Sequence, residues 1–120
     1  MNTVVDTTAQ SIQYWGEQQD ALGYETVWSI WECSDVDMQL LKDKSYRVYY
    51  QFIREGATTE EIMNDEAWVE VSAFTTGGTV RDLWAAAESC FKQAKAQGDW
   101  HQFIENFTLT DAGFELVMGS

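Results

Sequence analysis

Two stretches of strict two-residue alternation constrain this chain more than any other feature. In Ser45–Phe52, residues Tyr46, Val48, Tyr50 and Phe52 fall on one side, and in Ala67–Phe74, Val69 and Val71 oppose Trp68 and Phe74. Side chains alternate across a strand but recur every 3.6 residues on a helix, so both stretches predict strands. The period then lengthens. Val80, Leu83, Trp84, Ala87, Phe91 and Ala94 follow helical spacing, with Arg81, Glu88, Lys92 and Lys95 assigned to the opposite face. Thr79 can cap this segment, Asp82 sits in its first turn and Gly98 stops it, which predicts an amphipathic helix over Thr79–Gln97.

The remaining segments complete the pattern. Residues 1–8 show no period and read as a frayed tail. Ile12, Trp15 and Leu22 share a helical face, and Gly23 stands where a helix ends at positive φ, predicting a helix over Ser11–Leu22. Thr26–Cys33 is β-branched and aromatic and reads as a strand. Ser34–Lys42 reads as a helical turn opened by Ser34 or as an extension of the sheet. Thr58–Glu61 resembles a capping box and predicts a short helix through Met63. Phe107–Thr110 and Phe114–Met118 alternate around Asp111-Ala112-Gly113, predicting a closing hairpin with a three-residue connection. The expected fold is a single α+β domain over 1–120. Its antiparallel sheet of about five strands packs with two helices, in the order α-β-β-β-α-β-β.

Composition bounds the function. The 120 residues are 45% hydrophobic and 14% aromatic, enough for a packed core. Twenty acidic residues against seven basic ones give a net charge of -13. That field argues against direct binding of nucleic acid or of an anionic membrane. No apolar run approaches the roughly 20 residues of a membrane helix, and the N-terminus lacks the basic and apolar regions of a secretory signal. The absence of proline excludes a polyproline ligand segment. Two distant cysteines, Cys33 and Cys90, predict free thiols and a cytoplasmic location in place of a disulfide scaffold.

Catalytic motifs are sparse. The acid pairs Asp35/Asp37, Glu60/Glu61 and Asp65/Glu66 lie in expected loops or caps, and the first lacks the third acid and central Gly of a calcium loop. His101 is the only histidine, and neither cysteine sits in a nucleophile motif, so no catalytic residue, metal or cofactor is expected. Thr75-Thr76-Gly77-Gly78-Thr79 runs from strand to helix, where backbone amides can hold an anion. It lacks the Lys of a phosphate loop, and a turn ending in a cap is the expectation.

The acids are unevenly distributed, with seven and no base in residues 1–41, and six and no base in residues 55–80. A globule of this length is roughly 35 Å across, and duplex DNA of that length carries about 20 phosphates. The acids match this density only if they share a face. The first functional reading is therefore a non-enzymatic acidic binding protein acting on a protein partner. Its specific form is a nucleic-acid mimic that inhibits a nucleic-acid-handling protein, of the kind mobile elements carry. Its candidate contacts are Asp6, Glu17, Asp20, Glu25, Glu32, Asp35, Asp37, Glu55, Glu60, Glu61, Asp65 and Glu66. Trp28, Trp31, Arg47, Tyr49, Tyr50 and Trp68 form a candidate aromatic patch, since exposed rings and Arg anchor interfaces. The alternative is a small domain, expected as a homodimer, with an aromatic ligand pocket lined by Trp28, Tyr50 and Trp68.

Overall fold

A computed structural model of the chain describes the backbone of residues 7–119 and the side chains from residue 10. The expected frayed tail lies outside the described residues as far as residue 6. Thr7 and Thr8 already belong to the first helix, α1 (Thr7–Leu22), which ends at Gly23 with φ 73°. There follow β1 (Val27–Trp28), β2 (Arg47–Ile53), α2 (Thr59–Met63), β3 (Trp68–Phe74), α3 (Val80–Lys95), β4 (Phe103–Thr110) and β5 (Gly113–Gly119). Among the described residues the fold is α+β with one five-stranded sheet and three helices, the short α2 being the one not counted in the expected order.

The sheet runs β1-β4-β5-β2-β3 and is mixed, which corrects the antiparallel expectation. β2–β3 and β4–β5 are antiparallel, whereas β1–β4 and β5–β2 are parallel. The reason is topological: the C-terminal hairpin wedges between β1 and β2, each arm parallel to its outer neighbour. Its connection is two residues, Asp111 and Ala112, because Gly113 already pairs with Thr110.

Two other expectations change. The first strand stops at Trp28 because the indole N–H donates back to the Ile30 carbonyl (3.0 Å) and the Cys33 N–H closes a turn onto the same oxygen (3.2 Å). Ser34–Lys42 forms neither helix nor strand. Asp35 Oδ1 accepts from the Asp37 N–H (2.9 Å), and the chain then crosses the start of α3 through one bridge, Gln39 to Thr79. That crossing answers the anion-loop question. The Val80 and Arg81 N–H groups donate to Met38 and Val36 carbonyls, Asp82 N–H to Thr79 Oγ1, and Thr79 N–H to Asp82. These first-turn donors are occupied, so Thr75–Thr79 is a capped turn.

The core lies between the sheet and helices α1 and α3. Val48, Tyr50 and Phe52 of β2, Val71 of β3 and Leu116 of β5 meet the apolar stripe of α3. Trp15, Trp28 and Trp84 stand 5.8–5.9 Å apart, centroid to centroid, and join α1, β1 and α3. No helix among the described residues is long and apolar enough to cross a membrane.

Glu88 corrects the assignment of polar residues to the outer face of α3, for it is 4% exposed. It stands four residues after Trp84 and three before Phe91, inside the apolar stripe. Its Oε1 accepts from the Thr26 N–H (3.0 Å) and hydroxyl (2.6 Å), and Oε2 from the Glu25 N–H (3.1 Å). The Trp84 indole donates to the same Thr26 oxygen (2.9 Å). A buried carboxylate thus holds the backbone leading into a strand that has only two residues to pair. Glu88→Ala would leave buried backbone donors unsatisfied and should cost about 3 kcal/mol in urea unfolding. A loss under about 1 kcal/mol would contradict this anchoring role.

Candidate functional site: a cleft between two diverging strands

The parallel ladder between β2 and β5 consists of two pairs, Val48 with Phe114 and Tyr49 with Glu115. It is tightly pinned at its start. Arg47 donates to the Ala112 carbonyl (3.1 Å), and the Tyr49 and Thr110 hydroxyls lie 2.7 Å apart. Gly113, with φ 126°, packs so closely on the Arg47 backbone that a Cβ would meet its carbonyl oxygen at 2.6 Å. Beyond Tyr49 and Glu115 the ladder stops, and residues of both strands line a cleft of about 690 Å³.

The strand alternation sorts its walls. Tyr50 and Phe52 of β2, with Leu116 and Met118 of β5, belong to the helix-covered face. Gln51, Ile53, Glu115 and Val117 belong to the opposite face, beside Trp68 at the start of β3. The segment after α3, Gly98 to His101, closes the site. Gly98 has φ 94°, and the Glu55 side chain lies so close that a Cβ there would collide with it.

Asp99 organises the polar part. Its side chain is 5% exposed. Oδ2 accepts the Tyr50 hydroxyl (2.9 Å), and Oδ1 meets His101 Nδ1 (2.9 Å). The Trp100 ring stacks on the imidazole at 4.2 Å and 19°. Burial first, then the bond to Asp99 and its negative charge, hold the Tyr50 hydroxyl well above its ordinary pKa of about 10. The resulting site has three carboxylates (Glu55, Asp99, Glu115), one imidazole and the rings of Tyr50, Phe52, Trp68 and Trp100. No Lys, Arg, Ser, Thr or Cys is among the described residues lining it.

The acids singled out in the sequence are mostly elsewhere. Glu17 and Asp20 are on α1, Glu25 precedes β1, and Glu32, Asp35 and Asp37 follow it. Glu55 follows β2, Glu60 and Glu61 are on α2, and Asp65 and Glu66 precede β3. Of these only Glu55 reaches the cleft. The strands flanking the two groups, β1 and β3, stand at opposite edges of the sheet. Glu25 pairs with Lys95 (2.9 Å), Asp37 with Arg81 (3.1 Å), and Glu61 with Arg54. Asp6 lies outside the described residues.

The aromatic candidates divide. Tyr50 and Trp68 line the cleft, whereas Trp28, expected beside them, is 1% exposed in the core. Trp31 sits in the turn after β1, and Tyr49 is buried beneath Arg47, whose guanidinium lies 4.9 Å from its ring. Arg47 also pairs with Glu70 (2.8 Å), so both residues brace the pinned end of the strands. Cys33 and Cys90 are buried and free. Burial pushes the Cys90 thiol up to about 12 and raises that of Cys33, which disfavours thiolate chemistry at either. No cluster of three or more metal-ligating side chains occurs among the described residues.

The sequence reading passed over Gly98, Asp99, Trp100 and Glu115 as site residues and left His101 without a role. An Asp two residues before the only His, directly after a helix-stopping Gly, was the available signal. Compared with family models, with curated proteins and with solved structures, the chain matches none.

The folded hydroxyl pKa of Tyr50 exceeds its unfolded value, which fixes the sign of a pH effect. The stability from its bond to Asp99 is fully present below about pH 10 and is lost as the pH rises from there through the folded value. Tyr50→Phe should therefore cost about 1–2 kcal/mol in urea unfolding at pH 8. The gap to the parent chain should narrow above pH 10, and a gap that widens there would contradict the assignment.

Proposed function

We propose that the protein is a non-enzymatic binding protein whose recognition element is the cleft between β2 and β5, and that its ligand is cationic. The lining carries this reading: carboxylates and aromatic rings converge there, and no described lining residue is a lysine or arginine that could neutralise them. A cation over an aromatic face gains about 0.5–1 kcal/mol at an exposed site and more when desolvated. Glu55 and Glu115 add charge pairing, and the net charge of -13 steers cations toward the molecule. Asp99 is held by Tyr50 and His101, so it fixes the wall and leaves recognition to the two glutamates and the indoles of Trp68 and Trp100.

Binding is favoured over catalysis because no serine, threonine, cysteine or lysine accompanies His101 among the described lining residues, and the Tyr50 hydroxyl is committed to Asp99. The cleft is also favoured over the wider acidic surface as a phosphate mimic. Glu25, Asp37 and Glu61 of that surface spend their charge on Lys95, Arg81 and Arg54.

Titration with arginine methyl ester, followed by tryptophan fluorescence and calorimetry, tests the proposal. Binding should weaken with added salt and fall at least about tenfold in a Glu55→Gln/Glu115→Gln double variant, equivalent to about 1.4 kcal/mol. Equal binding of citrulline methyl ester, which lacks the guanidinium charge, or an unchanged affinity in the double variant, would overturn it.

A further inference from the structure

The cleft has a second property, which concerns backbone and not side chains. Thr75 N–H donates to the Tyr46 carbonyl (2.8 Å) and Arg54 N–H to the Ala67 carbonyl (2.9 Å), one pair at each end of the β2–β3 ladder. In an antiparallel pair, alternate residues exchange backbone bonds. Val48, Tyr50 and Phe52 are therefore the residues bonded to β3. Gln51 and Ile53 turn their N–H and C=O groups the other way, toward β5, and the β2–β5 ladder has already ended at Tyr49 and Glu115. The same alternation along β5, read from its pairing with Thr110 at Gly113 through Thr108 at Glu115, turns the Met118 backbone toward the cleft. Among the described residues, the cleft thus lies between two strand edges whose ladder with each other has ended.

We infer that the occupant of the cleft is an extended basic peptide segment, added as a short strand to the free edge of β2 opposite β5. This rests on the proposed cation-binding role of the same cleft. The walls prescribe its side chains, because an added strand presents alternate residues to the two faces. Residues directed to the helix-covered face run onto Met118, above the buried Phe52 and Leu116, and must be apolar. Residues directed to the opposite face meet Glu115, with Ile53, Val117 and Trp68 available to cover an aliphatic stem, and must be lysine or arginine. The pinned end of the ladder limits the insert to a few residues, taken from the diverging end. A segment alternating arginine and valine satisfies the backbone, the apolar wall and the charge together.

The test uses the full chain and five probes. The first is an acetylated, amidated pentapeptide alternating arginine and valine; the second replaces each arginine by glutamate. Two further versions are N-methylated at odd or at even residues, which blocks backbone bonding to one or the other edge, and the fifth probe is arginine methyl ester. The expected result is binding of the parent peptide at least tenfold tighter than either methylated version, no binding of the acidic one, and new hydrogen-exchange protection at Gln51 and Ile53. If the parent and methylated peptides bind alike and arginine methyl ester binds as well, strand addition is overturned while the cation-binding role stands. If neither the peptide nor the ester binds, both fail. Protection of Gln51 and Ile53 in the free chain at high but not low protein concentration would show a second copy in the cleft and would also overturn the proposal.

Discussion

Two residue pairs join the halves of this sheet, and the rest of the architecture depends on how they are held. β1, β4 and β5 form one half, β2 and β3 the other, and among the described residues the ladder between them is Val48–Phe114 and Tyr49–Glu115. Above the sheet, Arg47, Tyr49 and Gly113 lock the tip of the hairpin to the start of β2. Below it, α3 packs on β2 and β3, while its Trp84 reaches Trp28 of β1, which in turn lies 5.8 Å from Phe107 of β4. Apolar packing beneath carries the union that backbone bonding carries elsewhere. The strands can therefore part beyond the pin without dividing the domain, and a cleft appears in the middle of a sheet where closed pairing is the norm.

Two buried acids serve this arrangement in different ways. Glu88 gathers backbone donors at the start of β1 and fixes one edge of the sheet under the tryptophan cluster. Asp99 ties the segment after α3 to Tyr50, below the parting strands, and orients His101 beside it. Neither contributes to a solvated acidic surface, although both count toward the net charge. A charge of -13 read from composition overstates the acidity open to a partner, because cap, core and ion-pair positions absorb part of it.

The local elements were legible in the sequence because they depend on local periodicity. Alternation at Tyr46–Phe52 and Val69–Val71 marks the two faces of β2 and β3, and the stripe from Val80 to Ala94 marks α3. Pairing direction was not legible, since a hairpin inserted between two strands can present either arm to either neighbour and no residue pattern distinguishes the two. Trp28 and Trp31 misled for a related reason: an aromatic, β-branched run reads as a strand until a side chain takes a backbone carbonyl and turns the chain. The candidate cleft was the least legible part. It joins residues 50–53, 55, 68, 98–101 and 115–118, which meet only through sheet order. Tyr50, Trp68 and Glu55 were selected for their chemistry, but nothing in their spacing placed them together.

The end of the β2–β5 ladder at Tyr49 leaves the backbone of Gln51 and Ile53 open toward the cleft. Amide hydrogen exchange on the free chain, resolved by residue, tests it most directly. Slow exchange is expected at Val48, Tyr50 and Phe52, which bond to β3, and exchange faster by orders of magnitude at Gln51 and Ile53. Uniform protection from Val48 to Ile53, at protein concentrations where the chain is monomeric, would show that the two strands are zipped along their length. The cleft would then not exist as described.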